Sequence, residues 1–304
     1  MTEVVEIVEV GARDGLQNEP GFFPTEKKLQ LLNRAMDAGV KRLEVASFVH
    51  PKLVPQMADA EAVVAGLPVR NDVTYIGLVL NKRGLFRALE TRDDKGHGID
   101  EAGAVAVASD GFGQKNQGMT SAESITVTSE IVKLAKQEGI SAQVTISTAF
   151  GCPFDGEVDT DHVIDMVKAL TQCEPREIAI ADTIGVGVPH VVTEIIERAV
   201  EVAGPIPIRA HFHNTRNTGI ANAWAAYQAG ARVLDASLGG LGGCPFAPNA
   251  TGNIATEDLL YMLSRSNIDT GINLDQMIAT AQWLEQEMNK KLPTALAHAG
   301  NFPK

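Results

Sequence analysis

Short runs of β-branched and apolar residues alternate with longer stretches of helical period along most of this chain. The strand-like runs fall at residues 4–10, 42–47, 73–79, 104–109, 142–148, 177–181, 208–213 and 233–237. Between them, apolar positions recur at helical spacing over 26–38, 57–65, 122–138, 161–171, 189–202 and 219–229, a period that puts one apolar face on an α-helix. The connection 84–101 carries a weaker helical signal, because Asp93-Asp-Lys-Gly-His-Gly98 interrupts it. Gly39, Gly139, Gly204 and Gly230 stand where helices must stop before the next strand, as C-terminal capping glycines do. Eight β/α units in alternation require parallel strands and predict an α/β fold, a closed (β/α)8 TIM barrel with an extra C-terminal helix at 274–291. An open doubly wound sheet fits less well, since no Gly-x-Gly-x-x-Gly follows the first strand. No low-complexity linker divides the chain, so residues 1–304 are expected to form a single catalytic barrel domain.

Composition narrows the class of function. A net charge of −12 argues against nucleic acid or an anionic membrane surface as partner. No apolar run approaches membrane-spanning length, and the first strand pattern starts at residue 4, too early for a presequence. Three widely spaced cysteines, an odd number, point to reduced thiols and a cytoplasmic location.

The chemistry collects where a barrel keeps its active site, at the C-terminal ends of the strands. His211 and His213 flank Phe212 near the end of the seventh strand. Side chains two apart on a strand point the same way, roughly 6.6 Å apart, so both imidazoles can converge on one ion. The buried look of residues 207–212 supports this, because unpaired imidazoles there would be costly. The first strand ends in Glu9-Val-Gly-Ala-Arg13-Asp14-Gly-Leu-Gln17-Asn18-Glu19. A carboxylate from this segment, Asp14, and the two imidazoles supply three ligands, and the Asn253 amide oxygen can add a fourth. Such a mixed set with open positions suits Mg²⁺ or Mn²⁺, with Zn²⁺ or Co²⁺ also tolerated. Arg13 is a permanent cation placed to stabilise an enolate oxygen. Glu44 and Asp182 end the second and sixth strands; each alone also fits a buried salt-bridge partner. Cys244, in Gly-Leu-Gly-Gly-Cys-Pro, sits on backbone able to approach a ligand closely, and its thiol suits proton transfer. Cys152 and Cys173 read as structural.

Several motifs are similar to those of the 3-hydroxy-3-methylglutaryl-CoA lyase family. They are residues 9–19 quoted above, Ser47-Phe-Val-His-Pro-Lys-Leu-Val-Pro-Gln-Met57, Asp182-Thr-Ile-Gly-Val-Gly187, Gly239-Gly-Leu-Gly-Gly-Cys-Pro-Phe-Ala-Pro248 and Thr251-Gly-Asn-Ile-Ala-Thr-Glu-Asp-Leu-Leu-Tyr-Met-Leu263. The resemblance runs from the first strand to about Leu274, and the glycine–cysteine loop is its most specific part. It implies a metal-dependent barrel enzyme that splits an acyl-CoA substrate in a retro-Claisen sense, giving acetyl-CoA and a keto acid such as acetoacetate. By the same resemblance Asp14, His211, His213 and Asn253 become the metal ligands, Arg13 the enolate stabiliser and Cys244 the acid. Glu44 and Asp182 orient ligands or handle protons, and His211 or Asp182 assists the base step.

The chain also departs from the family wording. It reads Asn214-Thr215-Arg216-Asn217-Thr218-Gly219 after His213, where the family has Asp-Thr-Tyr-Gly. Ala179-Ile180-Ala181 replaces Ser-Leu-Gly, and Thr145-Ile-Ser stands for Tyr-Val-Ser. These changes leave the expected ligands intact but exchange polar pocket groups for apolar ones, and add Arg216 as either a pocket cation or a surface residue. Citramalyl-CoA and a longer 3-hydroxy-3-alkylglutaryl-CoA are therefore alternative substrates. The related isopropylmalate and homocitrate synthases share the Arg-Asp and His-x-His elements but usually carry C-terminal extensions, which disfavours an acetyl-CoA-dependent condensing enzyme. Lys82, Arg83 and Lys115 read as solvated charge more readily than as phosphate contacts. A homodimer is left open.

Overall fold

The computed structural model describes residues 4–243 and 252–303. Its strands are β1 (Glu6–Glu9), β2 (Arg42–Ser47), β3 (Thr74–Val79), β4 (Glu101–Val107), β5 (Ser141–Ser147), β6 (Ile178–Asp182), β7 (Ile208–Phe212) and β8 (Val233–Ala236). Each pairs in parallel with the next, and β8 closes on β1 through Glu6–Val233 to Glu9–Ala236. That order is the (β/α)8 barrel the alternation predicts, each crossover returning the chain to the same end of the sheet.

The helices are α1 (Thr25–Asp37), α2 (Ala60–Gly66), α3 (Lys82–Leu89), α4 (Asp110–Asn116), α5 (Ser121–Gln137), α6 (Thr160–Thr171), α7 (Pro189–Ala203), α8 (Gly219–Gln228), α9 (Thr256–Arg265), α10 (Leu274–Met288) and α11 (Leu296–Ala299). Local chemistry sets their ends. The Thr120 hydroxyl and Glu123 carboxylate form a reciprocal capping box at the start of α5, and Pro189 occupies the first turn of α7, where its missing N–H is harmless. All four glycines read as helix stops have positive φ, from 60° at Gly204 to 110° at Gly230.

The fold departs from the sequence pattern in four places, one of them the short helix α4, which the helical period does not predict. Strand β4 starts at Glu101, ahead of the apolar run at 104–109, because Glu101 is fully buried against the Arg42 guanidinium. Helix α9 follows the glycine–cysteine segment where the sequence pattern predicts no helix, and Thr256 and Glu257 in its first turn are buried. The chain then adds the short α11 after the expected C-terminal helix, α10.

Between barrel and helices lies a continuous apolar shell that includes Leu31, Leu32, Val163, Val167, Val192 and Ile196. Inside the barrel, the N-terminal end is ionic. Arg42, 1% exposed, donates to Glu177 at 2.7 Å and to Glu101 at 3.3 Å, and Arg209 meets Glu177 at 3.2 Å. This layer closes the floor and leaves the other end for chemistry. None of the described helices is long and apolar enough to cross a membrane.

Candidate active site

Strand β1 runs into a single π-helical turn, Gly11–Gly15, that places Arg13 and Asp14 over the C-terminal mouth of the barrel. Such turns occur disproportionately at functional sites, because the widened backbone re-aims side chains. Opposite, β7 presents His211 and His213 with ring centroids 5.1 Å apart. Ligand-capable atoms of Asp14, His211 and His213 lie within 4.8 Å of one another, the one such cluster among the described residues. His213 Nε2 stands 3.8 Å from Asp14 Oδ2. Asn253 joins them through a backbone bridge to His213, and its Nδ2 donates to Asp14 Oδ2 at 2.8 Å and to the Leu241 carbonyl at 3.0 Å.

Two buried polar atoms in this group, His213 Nδ1 and Asn253 Oδ1, have no hydrogen-bond partner among the described residues. Buried lone pairs without partners are costly. Two imidazoles, a carboxylate and an amide oxygen form a mixed donor set that a divalent cation fits, with room for water or substrate oxygens.

The charges around the cluster are matched. Arg13 donates to Asp14 at 2.7 Å and to Glu44 at 2.6 Å, while its Nε is buried without a partner among the described residues. A bulge in the β2–β3 pairing, between Glu44 and Ala46, lies where Glu44 meets Arg13. Burial alone would raise the Asp14 carboxyl, but Arg13 and the two histidines hold it well below the usual carboxylate range. Burial raises Asp182, opposed by the Val186 and Gly187 N–H groups that its two oxygens accept at 2.9 Å. For His211, burial lowers the imidazole, but the Asp235 charge and hydrogen bond outweigh it, so the group ends above its ordinary value.

Cys244 lies outside the described residues. The segment entering its loop bends through positive φ at Gly239, Gly240 and Gly242. Arg216, left open by sequence between pocket and surface, is exposed and donates to the Ile184 and Gly185 carbonyls at 3.1 and 2.9 Å, tying the β7 loop to the β6 loop. Thr145 is half-buried inside the barrel and Ala179 fully buried. Cys152 accepts the N–H groups of Phe154 and Asp155, and Cys173 is buried with its thiol on the Leu170 carbonyl. Lys82 pairs with Glu130 at 3.0 Å, and Lys115 stacks over Phe154.

Sequence reasoning missed three supporting carboxylates. Asp235 meets His211 Nδ1 at 2.7 Å. Glu9 and Glu257 hold the start of the glycine segment by accepting the Leu238 and Gly239 N–H groups. The available signal for Asp235 was a lone carboxylate inside the apolar run 233–237, where only a buried partner makes it tolerable.

The sequence profile of the HMGL-like family matches residues 4–284. The chain belongs to this family. Among its relatives, the hydroxymethylglutaryl-CoA lyase YngG of Bacillus subtilis is 40% identical over 290 residues, 95% of this chain and 95% of the relative. The (R)-citramalyl-CoA lyase of Chloroflexus aurantiacus is 39% identical over 308 residues, 98% of this chain and 95% of the relative. Among solved structures, an HMG-CoA lyase of Acinetobacter baumannii in complex with coenzyme A and 3-methylmalate superposes with a TM-score of 0.92 at 38% identity, covering 100% of this chain and 99% of that one.

Proposed function

We propose that this protein is a divalent-metal-dependent carbon–carbon lyase that cleaves 3-hydroxy-3-methylglutaryl-CoA to acetyl-CoA and acetoacetate. The observation that carries the reading is the Asp14–His211–His213 cluster beside Arg13 at the barrel mouth, in a chain of the HMGL-like family. Asp14, His211, His213 and Asn253 would hold the cation. When bound, such a cation acidifies a chelated hydroxyl and supports negative charge on neighbouring oxygens.

The chain's own residues carry the remaining steps. Asp182 assists removal of the C3 hydroxyl proton, because both His211 nitrogens are engaged, Nδ1 by Asp235 and Nε2 by the cation it would hold. The C3–O bond becomes a carbonyl as the C2–C3 bond breaks, and the electron pair moves to the thioester enolate. Arg13, held from both sides by Asp14 and Glu44, supplies the fixed positive charge for the enolate oxygen. Cys244 returns a proton to C2 and completes acetyl-CoA. One proton leaves the hydroxyl and one arrives at carbon, so the reaction is neutral overall. A reduced thiol suits a cytoplasmic setting, and residues 1–304 act as one catalytic barrel in this reading. Coenzyme A in the Acinetobacter baumannii relative supports the acyl-CoA class of substrate.

A second reading, citramalyl-CoA cleavage to acetyl-CoA and pyruvate, is favoured by the Chloroflexus relative. The deciding experiment is turnover of racemic 3-hydroxy-3-methylglutaryl-CoA with Mg²⁺ or Mn²⁺, following acetyl-CoA and acetoacetate. Citramalyl-CoA is run in parallel, and EDTA-treated protein and Cys244→Ala serve as controls. Metal-dependent cleavage lost in both controls is expected. Pyruvate from citramalyl-CoA without acetoacetate from the first substrate would move the assignment to the second reading, and no acetyl-CoA from either would overturn both.

A further inference from the structure

Asp235 is the one ionisable side chain on β8, between Leu234 and Ala236, and is 2% exposed. Its Oδ1 stands 2.7 Å from His211 Nδ1, and its Oδ2 stands 3.2 Å from Arg209 Nε. Arg209 and His211 are two apart on β7 and so face the same side of the strand. The rest of the Arg209 guanidinium is held too, by Glu177 at 3.2 Å, by the Gln143 side-chain oxygen, and by the Thr145 hydroxyl at 3.3 Å. Groups on β5 and at Glu177, just before β6, thus hold this arginine, and its charge holds one oxygen of Asp235.

An imidazole that gives its Nδ1–H to a carboxylate keeps the Nε2 lone pair free for a cation and cannot turn its ring. His213 is placed differently: its Nδ1 is buried with no hydrogen-bond partner among the described residues. The two imidazoles of the cluster are therefore not equivalent. We propose that Asp235, pinned by Arg209, is a positioning residue that fixes the tautomer and ring orientation of His211, making His211 the preorganised imidazole of the centre. The inference rests on reading Asp14, His211 and His213 as a cation site, and Asp235 touches no substrate in it.

Asp235→Asn is the informative substitution. Asparagine has one side-chain oxygen, and the positive guanidinium of Arg209, 3.2 Å from Oδ2 as an ion-pair contact, favours that oxygen over the amide NH₂, which therefore turns toward His211. That arrangement forces the imidazole proton onto Nε2, the nitrogen that has to ligate. The test measures Mn²⁺ affinity from the free-ion electron paramagnetic resonance signal in wild type, Asp235→Asn, His211→Ala and the double variant, with far-UV circular dichroism on each. The expected result is about 10- to 100-fold weaker binding in Asp235→Asn, and no further weakening when Asp235→Asn is added to His211→Ala. Arg209→Lys keeps a cation beside Glu177 but cannot hold Asp235 through a guanidinium edge. It should weaken Mn²⁺ binding in the same His211-dependent way, and it provides the readout if Asp235→Asn does not fold. Affinity unchanged by Asp235→Asn, or weakened equally with and without His211, would overturn the inference alone. Wild-type protein that does not bind Mn²⁺ would overturn the cation-site reading and this inference with it.

Discussion

Glu9 and Glu257 grip adjacent backbone N–H groups from opposite sides of the sequence: Glu9 Oε1 accepts from Leu238 at 2.9 Å, and Glu257 Oε1 accepts from Gly239 at 3.1 Å. Glu9 also takes the Thr256 hydroxyl at 2.6 Å, so β1, the end of β8 and α9 meet at the root of the glycine segment. Both carboxyls are buried, and burial raises Glu9 to about 7 and Glu257 to about 8. A carboxyl raised in the native state binds its proton more tightly there than in the unfolded chain. Between about pH 4.5 and pH 8 the native state therefore holds more protons, and stability falls as pH rises. Glu257→Gln keeps an oxygen for the Gly239 N–H and removes the charge. The variant should lose part of this pH dependence and exceed wild type above pH 8 by on the order of 1–3 kcal/mol. Urea denaturation on either side of the transition checks it, and parallel pH profiles for the two proteins would refute it.

Arg13 separates metal binding from catalysis. Its two bonds neutralise Asp14 and Glu44, and its third edge remains free among the described residues. Arg13→Lys retains a positive charge but not a fork able to serve both carboxylates and an enolate oxygen together. Turnover should fall by about 10²- to 10³-fold, the usual loss on removing one oxyanion donor. Mn²⁺ affinity should change little, because the positive charge beside Asp14 is retained and Arg13 is not one of the cation's ligands. Steady-state kinetics beside a Mn²⁺ titration tests this, and a parallel loss of both would assign Arg13 to building the cation site instead.

Much of this was legible in the sequence, for reasons particular residues make plain. The barrel order follows from apolar runs whose period changes between strand and helix, and His211 and His213 read as a pair because a strand repeats every two residues. Arg13 and Asp14 were visible as charges just past a strand, although the π-helical turn that presents them has no such periodic signature. Asp235 and Arg209 were not legible. A carboxylate on β8 and a guanidinium on β7 become partners only once the two strands pair in this register, and no local pattern encodes it. Arg216 shows the converse: a charged residue in a suggestive motif whose bonds go to two loop carbonyls.

Gly242 ties the glycine segment to the ligand cluster. Its φ is +120°, and a Cβ added there would lie 2.4 Å from Asn253 Nδ2 and 3.3 Å from the Asp14 carbonyl oxygen. Gly242→Ala must therefore displace Asn253 while also straining the backbone, at about 1–3 kcal/mol. Mn²⁺ affinity should fall several-fold alongside a lower melting temperature. If Asn253→Ala alone reproduces the affinity loss without the drop in melting temperature, the two effects separate as the geometry requires. Wild-type affinity in both variants would remove Asn253 from the ligand set.

At the opposite end of the barrel, the Arg42 layer should govern stability and leave the chemistry alone. Arg42 is buried between Glu101 and Glu177, and each carboxylate has one other arginine: Arg176 at 2.8 Å for Glu101 and Arg209 at 3.2 Å for Glu177. Arg42→Met leaves two buried carboxylates with one cation each, and removing one member of such a cluster costs about 3–5 kcal/mol. The remaining arginines place this case at the lower end. The sign with pH follows from Glu101, whose carboxyl burial raises and Arg42 pulls back down. Without Arg42 it rises further, so the native state of the variant binds a proton over a wider range and its deficit grows with pH. Denaturation of Arg42→Met at acid and alkaline pH should show the smaller deficit at the acid end, with turnover of the folded fraction little changed. A deficit independent of pH would mean that lost packing, rather than uncompensated charge, is what the substitution removes.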